Sequence, residues 1–201
     1  MAAMSLSMAR CVEAVARLLD DCGPLEPVRL CMSDRDVQAE VCASGPAASV
    51  SMARLSAATG SEAAGRTDDR NGGVITADLE AEVVLVAAVD APVRATVPRL
   101  RATSTPAAAG LLRTLAPWTA GLNQELLSGA QLWVEDHGHG FTVRLLATAE
   151  CSDDLESVAA AASAGLEQVR TWRTDSGLDG RGSLPCGQTV HLGVVCLPDH
   201  P

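Results

Sequence analysis

Two histidines, two residues apart and flanked by acids and glycines, make Glu135-Asp136-His137-Gly138-His139-Gly140 the segment densest in reactive groups. A His-x-His turn can bring two imidazoles to one ion, and Asp136 adds carboxylate oxygens, so His137, His139 and Asp136 are the candidate metal ligands. A zinc site would need at least a third protein ligand from elsewhere, plus water. Cys151, Cys186, His191, Cys196 and His200 qualify by residue type alone. The segment also has a simpler reading. Trp133-Val134-Glu135 before it and Phe141-Thr142-Val143 after it alternate in phase. Pairing 134 with 143 and 132 with 145 leaves His-Gly-His-Gly as a loop, whose glycines tolerate positive φ. Trp133 then faces Arg144, suited to a cation–π contact. The hairpin tip is the preferred reading. No catalytic, cofactor or metal residue is assigned, and no cofactor is expected.

Asp136-x-Gly138-x-Gly140 also resembles the adenine-contacting box of histidine-kinase-type ATPases. The resemblance covers five residues and implies a nucleotide site, an Asn-bearing helix before the box and a glycine-rich lid after it. Asn123 lies upstream but has no acid four positions before it. The later SGLDGRG stretch, through Gly177 and Gly182, follows a full helical pattern and departs from the lid. The chain contains no Lys, so a Walker-type phosphate loop is excluded. Nucleophilic chemistry has one candidate, Cys186, with His191 five residues on. A loop thiol near a strand end is the preferred reading of Cys186, and no Gly-x-Ser-x-Gly elbow occurs.

The elements around these groups follow from periodicity. Met8, Val12, Val15, Leu18, Leu19 and Cys22 form a helical stripe over 6–22, ended by Gly23-Pro24. Residues 27–43 alternate as a hairpin turning at Asp34-Arg35. It aligns Val28, Leu30 and Met32 with Val41, Ala39 and Val37, and sets Arg29 opposite Glu40. Residues 47–57 fit helix or strand, with helix preferred. Residues 58–77 read as a long loop. VVLVAAV at 83–89 is apolar on both faces, as in a buried central strand. A turn at Asp90-Ala91-Pro92 leads to a strand at 93–101, which Pro98 puts at an edge or a bulge. Thr105-Pro106 opens a helix that Pro117 should kink or split. A hairpin at 131–148 follows. A helix at 153–173 carries the stripe Leu155, Val158, Ala162, Leu166, Val169 and Trp172. A glycine-rich loop at 175–187 then leads to a final strand at 189–197.

This order predicts an α+β domain. Its antiparallel sheet is built from helix–hairpin units with helices on one face. The halves 5–101 and 104–198 have the look of a duplication. Element order also loosely resembles a DNA sliding-clamp domain. Such clamps confine basic residues to pore-lining helices, here Arg10, Arg17, Arg113, Arg170 and Arg173.

Composition narrows the function classes. The chain has 201 residues, 47% of them hydrophobic, enough for a sizeable core. Every basic residue other than His is Arg, and Tyr is absent, which points to a GC-rich genome. Net charge is −10. The only sequence cluster of bases is Arg94, Arg99 and Arg101, so nucleic-acid binding through a basic patch is not expected. No apolar run spans a bilayer, and an anionic membrane surface would repel an acidic protein. Seven cysteines cannot all pair and none forms a CxxC motif, which favours reduced thiols in a cytoplasm. The expected function is a non-catalytic interaction or assembly protein: an adaptor, chaperone-like or structural subunit with a protein partner or a homo-oligomeric state. The alternatives are a clamp-like DNA-associated subunit and a metalloprotein centred on His137 and His139.

Overall fold

A computed structural model describes residues 8–33, 36–42, 45–61, 74–80, 83–89, 105–137 and 140–196. The first helix, α1 (Met8–Cys22), buries the predicted stripe and ends at Gly23 with φ of 69°. Next come β1 (Val28–Met32) and β2 (Asp36–Val41), paired in the register that alternation dictates. Leu30, Met32, Val37, Ala39 and Val41 are buried, and Arg29 lies opposite Glu40. Ser33 and Asp36 close the turn, the Ser33 amide donating to the Asp36 carbonyl at 3.0 Å. Segment 47–57 falls inside helix α2 (Gly45–Thr59), which buries Ala48, Ser51, Met52 and Leu55 at three- and four-residue steps.

Strands β3 (Val74–Glu80) and β4 (Val83–Val89) follow. The expected 58–77 loop is thus overtaken by α2 at residues 58 and 59 and by β3 at 74–77, and its stretch 62–73 lies outside the described residues. The expected strand at 93–101, with Arg94, Arg99 and Arg101, lies outside the described residues. Strand β4 is not covered on both sides as expected: Leu85 and Ala87 are buried, but Val86 is exposed. Helix α3 (Thr105–Ala120) runs through Pro117 without splitting. Pro117 stands three residues from the helix end, so its missing N–H removes one bond from the last turn. Strands β5 (Gln131–Asp136) and β6 (Phe141–Ala149) pair as predicted, Val134 with Val143 and Leu132 with Leu145.

The largest correction concerns 153–187. The stripe at 153–173 is helical only in α4 (Leu155–Ser163). Gly165, with φ of 76°, reverses the chain. The rest becomes strand β7 (Glu167–Thr174), with Gln168 at φ 52° where its pairing register shifts. The expected loop at 175–187 contains strand β8 (Gly177–Ser183) before β9 (Thr189–Cys196). Glycine makes β8 unlike a strand by propensity. Here it serves close packing. A Cβ on Gly182 would stand 2.9 Å from Leu166 Cβ, and one on Gly180 would stand 3.1 Å from the Arg170 carbonyl oxygen.

The nine strands among the described residues form one sheet in the order β3-β4-β2-β1-β5-β6-β9-β8-β7. The sheet is mixed, not antiparallel. β2–β4 and β6–β9 are parallel pairs. Each hairpin reads as antiparallel on its own, but a parallel pair joins strands distant in sequence through a helical crossover. Helices α2 and α4 lie within those two crossovers. Helices α1, α2 and α4 pack on the sheet, and α3 packs along α1. An Arg113–Asp20 ion pair links α3 to α1.

Burial alternates along the strands. One face is dry under the helices, with Leu30, Leu132, Leu145 and Leu192 each at 5% exposure or less. Arg29 sits on the other face and bridges three strands. Its Nη1 donates to Glu40 Oε2 at 2.7 Å, and its Nη2 donates to Glu135 Oε1 at 2.8 Å. The hydrogen bond to Glu135 raises the Arg29 pKa further. The three side chains are about one-third exposed, which weakens the triad. The Arg29→Ala change should therefore cost about 1 kcal/mol, less at high salt. The Leu145→Ala change empties a dry site and should cost roughly 2–5 kcal/mol. Denaturant midpoints of the two variants test this ordering; a larger loss from Arg29→Ala would contradict it.

Candidate interaction surface

The predicted chemical centre is a turn. Asp136 ends β5, and the His137 amide donates to the Gly140 carbonyl at 3.0 Å, closing the hairpin. His137 is half-buried rather than fully exposed, with Nε2 2.8 Å from Thr142 Oγ1. His139 lies outside the described residues. Among the described residues, no group of three or more His, Cys, Asp or Glu is placed to hold a metal ion. The partners expected of a nucleotide site fall elsewhere. Asn123 sits in a turn after α3, its Oδ1 accepting from the Glu125 amide at 3.1 Å, and SGLDGRG runs into β8.

Cysteines divide by layer. No disulfide joins any of the seven. Cys11, Cys22 and Cys31 are buried, and burial pushes the Cys22 and Cys31 thiols up to about 11. Cys151 donates to Asp154 Oδ2 at 3.1 Å, which raises its pKa as well. Cys186 is exposed beside a groove of ≈480 Å³. Pro117, Trp118, Gly165, Leu184 and Pro185 line that groove, with no charged side chain. The Trp118 indole is held by its Nε1 donating to the Ala164 carbonyl at 2.9 Å. His191 does not face this groove. It stands on the uncovered side of β9, so the structure separates it from Cys186.

The uncovered face is the larger feature. Strand register aligns one residue from every strand in a single row: Thr76, Val86, Gln38, Cys31, Trp133, Arg144, His191, Arg181 and Arg170. Arg144, His191, Arg181 and Arg170 are all exposed. Thr189 and Ser183 face each other in the next row on one side. On the other side run Leu146, Gly193, Asp179 and Trp172. Trp172 and Val195 are 47% and 45% exposed, large for apolar side chains. Trp133 is half-buried, and its Nε1 has no hydrogen-bond partner. Beyond the row, β7 is exposed along its whole length and, among the described residues, pairs on one side only.

Sequence reasoning missed this row. Alternation shows that Arg144 and His191 are solvent-facing in their own strands. Only the parallel β6–β9 register makes them neighbours, and nothing local signals it. Helical periodicity puts Arg170 on a helix, and glycine content puts Arg181 in a loop.

Layering dictates thiol chemistry. At pH 8 a thiol with a pKa of about 11 is only ~0.1% thiolate, the reactive form. In a timed alkylation of the native protein, Cys42 and Cys186 should react first and Cys22 and Cys31 last, as read by peptide mass spectrometry. Early modification of Cys22 or Cys31 would contradict this layering.

No family model, no curated protein and no solved structure matches this chain.

Proposed function

We propose that this chain is a non-catalytic interaction or assembly protein and that the uncovered face of its sheet is the working surface. The observation that supports this reading is the exposure of Trp172 and Val195 on a face opposite all the helix packing. Exposed apolar side chains on one continuous sheet are the usual mark of a surface that meets a partner. The bare edge of β7 adds unpaired backbone groups that a partner strand can use. No helix among the described residues is long and apolar enough to cross a membrane. Buried, unbridged cysteines fit a reducing compartment, and we place the protein in the cytoplasm on that ground. The repeated order of helix, hairpin, helix and further strands fits two halves derived from one unit.

The alternatives gain less. A clamp-like role calls for basic helices, but Arg170 and Arg173 stand on β7, and Arg113 is paired with Asp20. A metal role has only the His137 turn, where His137 already meets Thr142.

Native mass spectrometry of the chain isolated from its own cells tests the proposal. An assembly heavier than the 20.7 kDa chain is expected. Trp172→Asp with Val195→Asp should release the chain from it, while Glu13→Ala on the exposed side of α1 should not. A wild-type chain found only at its own mass would contradict the proposal, as would an assembly unaffected by the open-face changes.

A further inference from the structure

Four basic side chains stand in one file on a protein whose net charge is −10. Arg144, His191, Arg181 and Arg170 occupy consecutive strands β6, β9, β8 and β7, each opposite the next. At strand spacing their backbones span about 14 Å. Like charges set directly opposite, as Arg181 and Arg170 are, destabilise a sheet. Among the described residues no ion pair relieves any of the four. Each adjoining row holds one acid on these strands: Asp179, whose Oδ1 lies against Gly193, and Glu167, opposite Ser183. A fold has no internal use for this arrangement. An anionic ligand would turn its repulsion into attraction.

We infer that this row binds single-stranded nucleic acid, its phosphates along the Arg144–Arg170 file and its bases against the flanking indoles. The inference rests on the proposed role of the uncovered face and names the partner. The indoles select this class of polyanion. Trp133 ends the file beside Arg144. Trp172 stands in the adjoining row, two residues from Arg170 on β7. Unstacked bases offer π-faces to such rings, and stacking is sequence-tolerant. A duplex keeps its bases stacked inside, and an acidic peptide does not pair a ring with every negative charge as a nucleotide does. Thr189 and Ser183 supply hydroxyl donors one row away, suited to phosphate oxygens. The acidic remainder of the surface confines the strand to the file and holds affinity in the range of sequence-independent binding, about 10⁻⁴–10⁻⁶ M.

Fluorescence anisotropy of a short labelled oligothymidylate, titrated with the full chain, tests the inference. Three arginine–phosphate contacts predict a salt slope of about −2, so each doubling of salt should weaken binding about fourfold. Arg181→Glu should weaken binding at least tenfold while leaving the thermal transition unchanged or higher, because the introduced carboxylate would then face Arg170 and His191. Trp172→Ala should also weaken binding, without changing the salt slope. Arg10→Glu, on the exposed side of α1, should change nothing. Polyglutamate of similar length is the comparison probe. If it binds as tightly as the oligothymidylate, the partner is an acidic protein; the nucleic-acid inference falls and the interaction role stands. If neither probe binds, or if Arg181→Glu binds as well as the wild type, the inference is overturned. The native-assembly measurement judges the broader role separately.

Discussion

One antiparallel ladder carries the sheet from its first half to its second. Strands β1 and β5 meet through four residue pairs, from Arg29 with Glu135 to Met32 with Leu132. Beneath the seam Leu30, Met32, Leu132 and Val134 are essentially dry. Above it the Arg29 guanidinium ties Glu40 to Glu135. Helices α1 and α3 pack together in the layer below. Apolar burial supplies most of the energy here, because the ion triad is partly solvated. The triad contributes register. A one-residue slip would turn Leu30 and Met32 to solvent and part Arg29 from Glu135.

Without that seam the halves would be two smaller sheets, each with an extra exposed edge. With it, nine strands share one register, and residues remote in sequence fall into line. Charge on the open face is then unevenly spread. Asp78, Asp36 and Glu40 lie on the β3–β2 side, and Arg144, Arg181 and Arg170 outnumber Asp179 and Glu167 on the β6–β7 side. Net charge reports only the sum of these regions. It therefore concealed a basic file inside an acidic protein.

Local rules were legible where local physics decides. Alternation and one charge pair gave the β1–β2 register residue by residue, and the same reasoning gave β5–β6. The stripe of α1 and its glycine stop were equally plain. Failure began where tertiary packing outweighed propensity. Leu166, Val169 and Trp172 continue a helical period past Gly165, yet the chain reverses there. The sheet needed an edge strand that could lie across the glycines of β8. Those glycines in turn disguised β8 as a loop. Parallel pairing was hidden for a different reason. Its partners are separated by a helix and one or two further strands, so no short window contains both. The candidate site at His137 was visible because its residues are adjacent in sequence. The basic row was not, because its four members come from four strands and meet only through register.

The continuity of the sheet across β1 and β5 is the claim on which the rest depends. Cys31 stands directly opposite Trp133 in that ladder. A Trp133→Cys variant therefore places two thiols on facing residues, within the Cα separation a disulfide accepts, about 4.4–6.8 Å. Mild oxidation of the folded variant, followed by digestion and mass spectrometry, reads the seam directly. The account predicts a single new cross-linked peptide joining the segments that contain residues 31 and 133. Recovery of both thiols unlinked, or a bridge from residue 133 to a different cysteine, would contradict it.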